Sequence, residues 1–313
     1  MSLSVDDGIQ ISDFARFDYG FSLDSVAFFD RLNYASPYAR LTQELGHEDS
    51  VVFSFASGMP HFRGEGGLQD DLRSLSVFPR VSRLGDRARV QRAENYEIAY
   101  KRRVGHTSVQ IAAFRESVAN AALLLGGPGR LADSPDLLPD LFSNSAVFNG
   151  GDYQSSGYAA SVAHEFADWM TLTLMYATGG ALVASRDASV VGSPDDLRSM
   201  IRQGRRQTVT SQVAGRSPYT GTHFVASYQW ASRRAATPGH LFATHSVRGD
   251  VGLNFFLRQP LPSPSAFPVR VEATADLRNA FGEGYIPVQN RDGSRLVLMN
   301  TPRSLRGGLS FIF

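Results

Sequence analysis

Apolar and polar residues alternate strictly along residues 269–278, whose sequence is VRVEATADLR. Successive side chains of a β-strand point to opposite faces, so a strand separates the two sets completely, whereas a helix would mix them. The same alternation recurs along the whole chain, for example in residues 17–24, 95–101, 158–162 and 224–230. The pattern predicts an all-β protein whose strands each carry one apolar and one polar face.

Most of the predicted strands are longer than the globular average of about 5–6 residues. They reach the roughly 9–11 residues that a tilted strand needs to cross a membrane. We therefore predict an antiparallel up-and-down transmembrane β-barrel, partial, of about 13–14 strands. A large soluble β-sandwich or propeller is the alternative. The predicted strands lie near 14–23, 26–35, 37–45, 50–57, 92–103, 106–118, 153–164, 168–184, 207–214, 222–234, 250–258, 267–279 and 303–313.

Short and long connections alternate between these strands. Bacterial outer-membrane barrels have short periplasmic turns and long extracellular loops, so the alternation favours that class. The loop 186–206 is expected to contain a short helix, because Ser193 is a suitable cap and Pro194 follows at the first helical position. The predicted short turns are 46–49, 104–106, 164–168, 215–221 and 259–265, and the predicted long loops are 58–90, 119–152, 186–206, 235–249 and 281–302.

The chain ends on an apolar strand whose Leu309, Phe311 and Phe313 share one face. A bare aromatic edge strand would recruit other chains in water, whereas a barrel pairs that edge and turns the apolar face to lipid. The ending resembles the last strand of bacterial outer-membrane barrels, where a terminal aromatic residue helps the assembly machinery to recognise the chain. The resemblance implies that these three residues form a membrane assembly signal.

Composition excludes several classes of site. The chain has no cysteine, which excludes disulfides, thiolate metal sites and cysteine nucleophiles, and its net charge of +1 indicates no strong electrostatic partner. His164-Glu165 lacks the second histidine of a zinc motif, and we expect neither a metal nor a cofactor. Residues 169–185 are uncharged but alternate with period two, so they are read as a strand and not as a membrane helix.

Three segments carry a family resemblance. Residues 92–102 resemble a barrel hairpin with the pattern E-x-Y-E-x-G, with Ala99 in place of the glycine. Residues 276–281 resemble D-x-x-N-L-F, with Ala280 in place of leucine, and residues 301–313 resemble a closing strand P-R-x-x-x-x-G-x-x-x-x-F. Together they resemble TonB-dependent receptor barrels, and the likeness extends over residues 1–313.

The resemblance implies the C-terminal portion of a receptor barrel in the bacterial outer membrane. Family members have 22 strands, a plug in the lumen and a segment that contacts TonB. No secretory signal, plug or TonB box is recognisable here, so we expect a truncated piece, with TonB contact made only through the missing N-terminal plug. The other expected partners are outer-membrane lipid, lipopolysaccharide and the barrel-assembly machinery, but not nucleic acid.

Four charged residues of the alternating segment are expected to line the lumen: Arg270, Glu272, Asp276 and Arg278. Large barrels have polar interiors, so these charges are expected to pair across strands or with a plug, and guidance of a ligand is the alternative.

Three functions stay open at this stage. The first is uptake of a scarce ligand (a siderophore, cobalamin or a glycan) by a TonB-dependent receptor-like transporter that is not an enzyme. The second is a self-contained passive porin of about 14 strands. The third is an outer-membrane barrel enzyme, which would need serine, histidine and an acidic or amide residue brought together in space.

We predict that Phe313→Asp impairs insertion, because it places a charge toward lipid and removes the aromatic assembly signal. Heat-modifiable mobility of the membrane protein on a gel measures the assembled fraction, which should fall. Unchanged heat modifiability would contradict this reading of the terminal strand.

Overall fold

A computed structural model describes residues 2–28, 30–58, 81–127, 134–140, 143–184, 190–240, 242, 244, 247, 250–262 and 270–312. Within these ranges the chain is almost entirely β-structure, with one helix of seven residues. None of the helical structure in this part of the chain is long and apolar enough to cross a membrane.

The elements, in chain order, are β1 Ser2–Ser12, β2 Ala15–Phe28, β3 Asp30–Glu44, β4 Asp49–Gly58, β5 Val81–Leu84, β6 Arg87–Val90, β7 Arg92–Val104, β8 Thr107–Ala119, β9 Ala122–Gly126, β10 Leu137–Pro139, β11 Ser145–Asn149, β12 Tyr153–Ala167, β13 Met170–Ala184, α1 Pro194–Met200, β14 Ile201–Arg216, β15 His223–Ala231, β16 Gly252–Leu261, β17 Arg270–Arg278, β18 Ile286–Gln289, β19 Arg295–Met299 and β20 Ser304–Ile312.

Thirteen of these strands form one antiparallel up-and-down sheet in the order β1-β2-β3-β4-β7-β8-β12-β13-β14-β15-β16-β17-β20. Each strand pairs with the next sheet strand along the chain, as predicted. Strands β1 and β20 form the two edges, and no pairing joins them among the described residues. The architecture is that of a partial β-barrel whose sheet is not closed.

Connections of two lengths lie at opposite ends of the sheet. One end has tight turns at residues 13–14, 45–48, 105–106, 168–169 and 217–222. The other end carries the long connections, namely 59–91, 120–152, 185–200, 232–251 and 279–303. The predicted alternation is confirmed for these connections, apart from the immediate step from β2 to β3 at this second end. We call the two ends the turn end and the loop end.

Burial in the sheet is the inverse of that in a water-soluble protein. One face exposes large apolar side chains, and the opposite face buries small and polar ones, as the two-faced strands predicted. The exposed apolar residues are Leu3, Val5, Ile9, Ile11, Tyr19, Phe21, Leu23, Phe53, Tyr96, Ile98, Tyr100, Val109, Ile111, Tyr158, Val162, Leu174, Val209, Tyr228, Trp230, Phe255, Leu305 and Leu309. The buried polar residues include Ser22, Ser36, Ser54, Glu97, Gln110, Ser161, Thr208, Thr210, Gln212, Ser227, Gln229, Asn254, Glu272 and Asp276.

The predicted loops 119–152 and 281–302 are folded, which corrects the sequence reading. They supply a second sheet, β10-β11-β9-β19-β18, with a hydrophobic core that includes Leu125, Phe148 and Leu298. Its strands have only three to five residues and are apolar runs, so alternation gave no signal. β9 also pairs with β19, which lies far from it in the sequence. A pattern of neighbouring residue types cannot predict pairing between such distant segments.

Two strand assignments near the N-terminus are also corrected. Residues 2–12, left out of the prediction, form β1, where Asp6-Asp7-Gly8 interrupts the apolar alternation. Strands were predicted at 26–35 and 37–45. Most of both segments belongs to one strand, β3, which continues through Pro37. Proline lacks an N–H donor, but β3 pairs with β4 only from Tyr38 onward, so Pro37 is unpaired on that side.

The predicted helix is confirmed as α1. Ser193 adopts an extended conformation at the N-cap, and its hydroxyl accepts a hydrogen bond from the Asp196 N–H at 3.2 Å. Pro194 occupies the first turn, where a missing N–H costs nothing. The strand after α1 begins at Ile201, six residues before the prediction, because the helix ends directly into β14.

We predict that Ile98→Arg destabilises the protein in a bilayer. Ile98 lies at the middle of β7 and is 45% exposed. An arginine at the midplane of a barrel costs about 2–4 kcal/mol, whereas an exposed residue in water usually tolerates change within about 0.5 kcal/mol. Urea unfolding from lipid vesicles measures the difference.

The matched control for this test is Tyr219→Arg. Tyr219 lies in the turn 217–222 and is 96% exposed, and at the turn end it is outside the apolar band. It should unfold like the wild type. Equal tolerance of both substitutions would contradict a lipid-facing β7.

Candidate functional site: the inner face of the sheet

The inner face near β16 and β17 carries paired charges. Glu272 and Asp276 are buried, at 1% and 3% exposure. The guanidinium of Arg258 forms an ion pair with Glu272, and the Arg278 Nε donates to the Asp276 carboxylate at 2.8 Å. Two of the expected lumen residues are thus buried on this face, and a third, Arg278, is bound to one of them. The side chain of the fourth, Arg270, lies outside the described residues.

The residues of the expected assembly signal lie on the edge strand β20. Leu309 is 62% exposed and is paired with Ala273 of β17. The backbone of Phe311 pairs with Val271. Phe313 lies outside the described residues, so its role stays a prediction.

An inward segment, defined here as the described residues of 237–247, crosses the inner face between β14 and β7. The Thr237 hydroxyl accepts a hydrogen bond from the Leu182 N–H of β13 at 3.0 Å. At the other side, the Thr244 N–H donates to Glu97 of β7 at 3.3 Å. This segment belongs to the connection between β15 and β16 and was predicted as an external loop. Its inward position is a correction.

A row of alanines admits the inward segment. Ala99, Ala112, Ala159 and Ala177 are cross-strand neighbours on β7, β8, β12 and β13. Phe242 packs against this row and is 5% exposed. Small side chains on four adjacent strands leave the depth that an aromatic ring needs. Ala99 stands where the E-x-Y-E-x-G pattern of the family has a glycine. In this fold its methyl group is part of the surface against which Phe242 packs.

His240 is the most constrained side chain of the inward segment. Its ring stacks on Phe114 at 3.8 Å between centroids and 1° between planes. The Nδ1 atom lies 3.2 Å from a Glu116 oxygen, and Nε2 lies 3.8 Å from a Glu97 oxygen. The imidazole therefore stands between two carboxylates, with its side chain 3% exposed.

The two carboxylates determine the charge of this histidine. Burial lowers the pKa of His240, but the hydrogen bond with Glu116 and the interactions with Glu97 outweigh burial, so the pKa is raised above its ordinary value. An opposite charge nearby favours the charged form of a group. When protonated, His240 connects the inward segment to Glu97 of β7 and Glu116 of β8.

The Thr244 hydroxyl, which shares Glu97 with His240, is not arranged as a nucleophile. Thr244 donates its hydroxyl proton to Glu97 and not to the imidazole. A hydroxyl–imidazole–carboxylate relay needs the opposite order. Among the described residues, no group of three or more histidine, aspartate or glutamate side chains is placed to hold a metal ion.

Arg206 of β14 is buried, and no described residue gives it an anionic partner. The side chain is 4% exposed, and its Nη1 atom donates to the Thr237 carbonyl at 3.3 Å. The Nη2 atom has no hydrogen-bond partner in the described part of the chain. The contacts of Arg206, Glu97 and Glu116 with the inward segment were not predicted, because these residues come from strands distant from that segment in the sequence.

Comparisons with known proteins give likenesses of fold. The siderophore receptor PirA from Pseudomonas aeruginosa matches 100% of this chain and 48% of its own at 9% identity and a TM-score of 0.37. The ferric-catecholate import receptor Fiu from E. coli K12 matches 99% and 44% at 14% identity and a TM-score of 0.40. The FrpB iron transporter from Neisseria meningitidis matches 99% and 44% at 14% identity and a TM-score of 0.36.

The chain spans less than half the length of each of these structures. The strand pairing, and not these likenesses, defines the fold of this chain. No protein-family model and no curated protein matches the chain.

We predict that the attachment of the inward segment depends on pH. The folded pKa of His240 is raised, so its stabilisation is complete below the unfolded pKa of about 6.5 and is lost as pH rises through the folded value. Hydrogen exchange of the inward segment, corrected for intrinsic rates, should accelerate over that range. His240→Gln should abolish the pH dependence.

The control is His106→Gln, whose side chain is 75% exposed near Glu165. It should leave exchange of the inward segment unchanged. His240→Ala, which leaves the buried Glu97 and the half-buried Glu116 without their cation, should open the segment at all pH values; breaking a buried pair costs about 3–5 kcal/mol. A pH profile shared by wild type and His240→Gln would refute the role assigned to the ring.

Proposed function

We propose that this chain forms wall strands of an outer-membrane β-barrel of the TonB-dependent receptor type, which takes up a scarce ligand such as a siderophore, cobalamin or a glycan. One observation carries the proposal: an antiparallel sheet of 13 long strands exposes apolar side chains on one face and buries polar ones on the other. A large apolar face is unfavourable in water, and hydrocarbon chains of a membrane would cover it.

The number of strands favours a receptor wall over a self-contained porin. In an up-and-down antiparallel sheet the direction alternates, so the first and the thirteenth strands, β1 and β20, run the same way. Direct closure would need parallel pairing, whereas bacterial single-chain barrels are antiparallel with an even number of strands. An odd number of further strands is needed to join these edges. Residues 1–313 are thus proposed to be one portion of a larger barrel.

The contents of the inner face also support a receptor. The inward segment and the folded loop-end sheet occupy space that a steady passive pore would leave open. In this proposal contact with TonB belongs to a plug domain that is not part of residues 1–313. The assembly machinery recognises the strand that ends at Phe313, and the protein has no catalytic role.

The motifs that resemble the family have structural roles in this fold. Asn279 of the D-x-x-N-type segment is buried with a left-handed φ of 45°. Its side-chain amide donates to the Glu283 and Thr301 carbonyls, both at 3.0 Å. It thus fixes the exit from β17 toward the loop end, where a receptor places the loops that meet its ligand.

Binding and conductance of outer-membrane vesicles test the proposal. Vesicles that carry the protein as its cell produces it are titrated with a ferric tris-catecholate, cyanocobalamin and maltoheptaose, and vesicles lacking the protein serve as the control. A receptor should bind one of the three saturably and show no uniform conductance steps in planar bilayers. Steady uniform steps without saturable binding would instead support the passive porin and reject the receptor.

A further inference from the structure

A cleft of about 410 Å³ opens at the loop end of the sheet, between the end of β15 and the turn after β17. Arg233 and Arg234 line one side, and Phe281, Glu283 and Tyr285 line the other. Strand pairing explains the cleft: β16 begins at Gly252, which pairs with Gln229, so β15 has no partner on that side beyond this point. The cleft shares Arg206 with the inner face, but neither His240 nor the ion-paired residues of β16 and β17 line it.

The cleft is strongly basic. Arg233 and Arg234 are exposed, and neither side chain forms a hydrogen bond or ion pair with any residue that the structure describes. Arg206 also lines the cleft, and its buried Nη2 atom has no hydrogen-bond partner among the residues that the structure describes. A buried guanidinium normally has an anionic or carbonyl partner for each face, because burying an unpaired charge is costly. Three arginines around one cleft therefore indicate a multiply charged anion.

One carboxylate lies in the cleft, and it is already engaged. Glu283 accepts a hydrogen bond from the Tyr228 hydroxyl at 3.1 Å. The Tyr285 hydroxyl oxygen accepts the Arg303 N–H at 2.8 Å, so its own proton remains available to donate to a ligand. The cleft thus has a positive excess and a free hydroxyl donor, which suits phosphate oxygens.

The position of the cleft relative to the outer apolar face indicates that the phosphate belongs to a lipid. Trp230 lines the cleft and belongs to the outer apolar face, together with Tyr228 two residues before it. Trp230 is opposite Val209 on β14, and Arg206 lies three residues nearer to the loop end, roughly 10 Å along the strand. Tryptophan and tyrosine collect where the hydrocarbon of a membrane meets its headgroups. The basic side chains thus begin where the apolar band ends.

We propose that this cleft binds the phosphate of a phosphorylated lipid headgroup at the outer rim of the barrel. Arg233 and Arg234 hold the phosphate oxygens, Arg206 supplies a fixed positive charge beneath them, and Trp230 and Phe281 contact the adjoining apolar part of the lipid. The inference rests on the proposed function, since it requires the outer face of the sheet to lie in a membrane.

Fluorescence of Trp230 reports on the cleft directly. The chain has two tryptophans, so Trp169→Phe leaves Trp230 as the only tryptophan, and excitation at the red edge of the absorption band selects it over tyrosine. The full chain in nonionic detergent micelles is titrated with dioleoyl phosphatidic acid, with dioleoylglycerol as the same lipid without phosphate, and with inorganic phosphate. We expect a saturable change with phosphatidic acid alone.

The decisive variant is Arg233→Gln with Arg234→Gln. It should weaken phosphatidic acid binding by about tenfold or more, since two charge-assisted hydrogen bonds are lost. The matched control is Arg87→Gln with Arg89→Gln on β6, which removes the same charge from two exposed arginines outside the cleft. It should bind as the wild type does.

Each contrary result has a distinct meaning. Equal affinity of both double variants, or equal response to dioleoylglycerol, would overturn the phosphate site. Saturation by inorganic phosphate at the same affinity would replace the lipid by a free anion and also overturn the inference. Heat-modifiable mobility is measured on every variant. Its absence in the wild type would reject the proposed membrane barrel, and the inference with it.

Discussion

Hydrogen bonding of the backbone in a medium without water is the constraint on which the rest of the structure depends. Hydrocarbon offers no partner to an N–H or a carbonyl, so a spanning sheet must satisfy these groups through neighbouring strands. The pairing of each long strand with the next does this across the sheet, and within the described residues the outer edges of β1 and β20 stay unpaired. The proposal of a larger barrel follows from those two edges.

The same constraint determines both faces. Outward positions expose aromatic and aliphatic side chains, as the proposed lipid surroundings require, whereas inward positions carry serine, threonine and paired charges. The inner face is also shaped for a particular content. The alanine row gives Phe242 its depth, and Glu97 and Glu116 hold His240, so the connection after β15 folds inward and not outward. A passive porin needs an open lumen, and an inward segment of this kind would narrow it.

Much of the wall was predictable from the sequence, because alternation of residue type reports directly which face a side chain occupies. The segments 92–103 and 153–164 differ from β7 and β12 by a few residues at most, and Ser193-Pro194 predicted the start of α1. β1 was missed because two aspartates and a glycine interrupt its alternation. The predicted strand 37–45 began at Pro37, whereas β3 begins at Asp30, because the one-sided pairing of Pro37 cannot be seen in a sequence.

The candidate sites were less predictable, because they depend on contacts between distant residues. Glu272 and Asp276 were placed on the inner face from alternation alone, but their partners were not all evident; Arg258 comes from the neighbouring strand. His240 was treated as an external residue, and nothing in residues 232–251 indicates which way that connection folds. The cleft around Arg233 and Arg234 combines two connections and one strand end, a juxtaposition that only the fold creates.

Site-directed spin labelling of β7 in lipid vesicles tests the central claim most directly. The chain has no cysteine, so single cysteines at positions 96 to 101 can be labelled without any background. Collision with oxygen, which dissolves in hydrocarbon, and with a water-soluble nickel chelate is measured at each position. Lipid-facing Tyr96, Ile98 and Tyr100 predict a period of two, with oxygen dominant at these positions. Nickel access at these three positions equal to that at the turn residue Tyr219 would show that water, and not lipid, covers the apolar face.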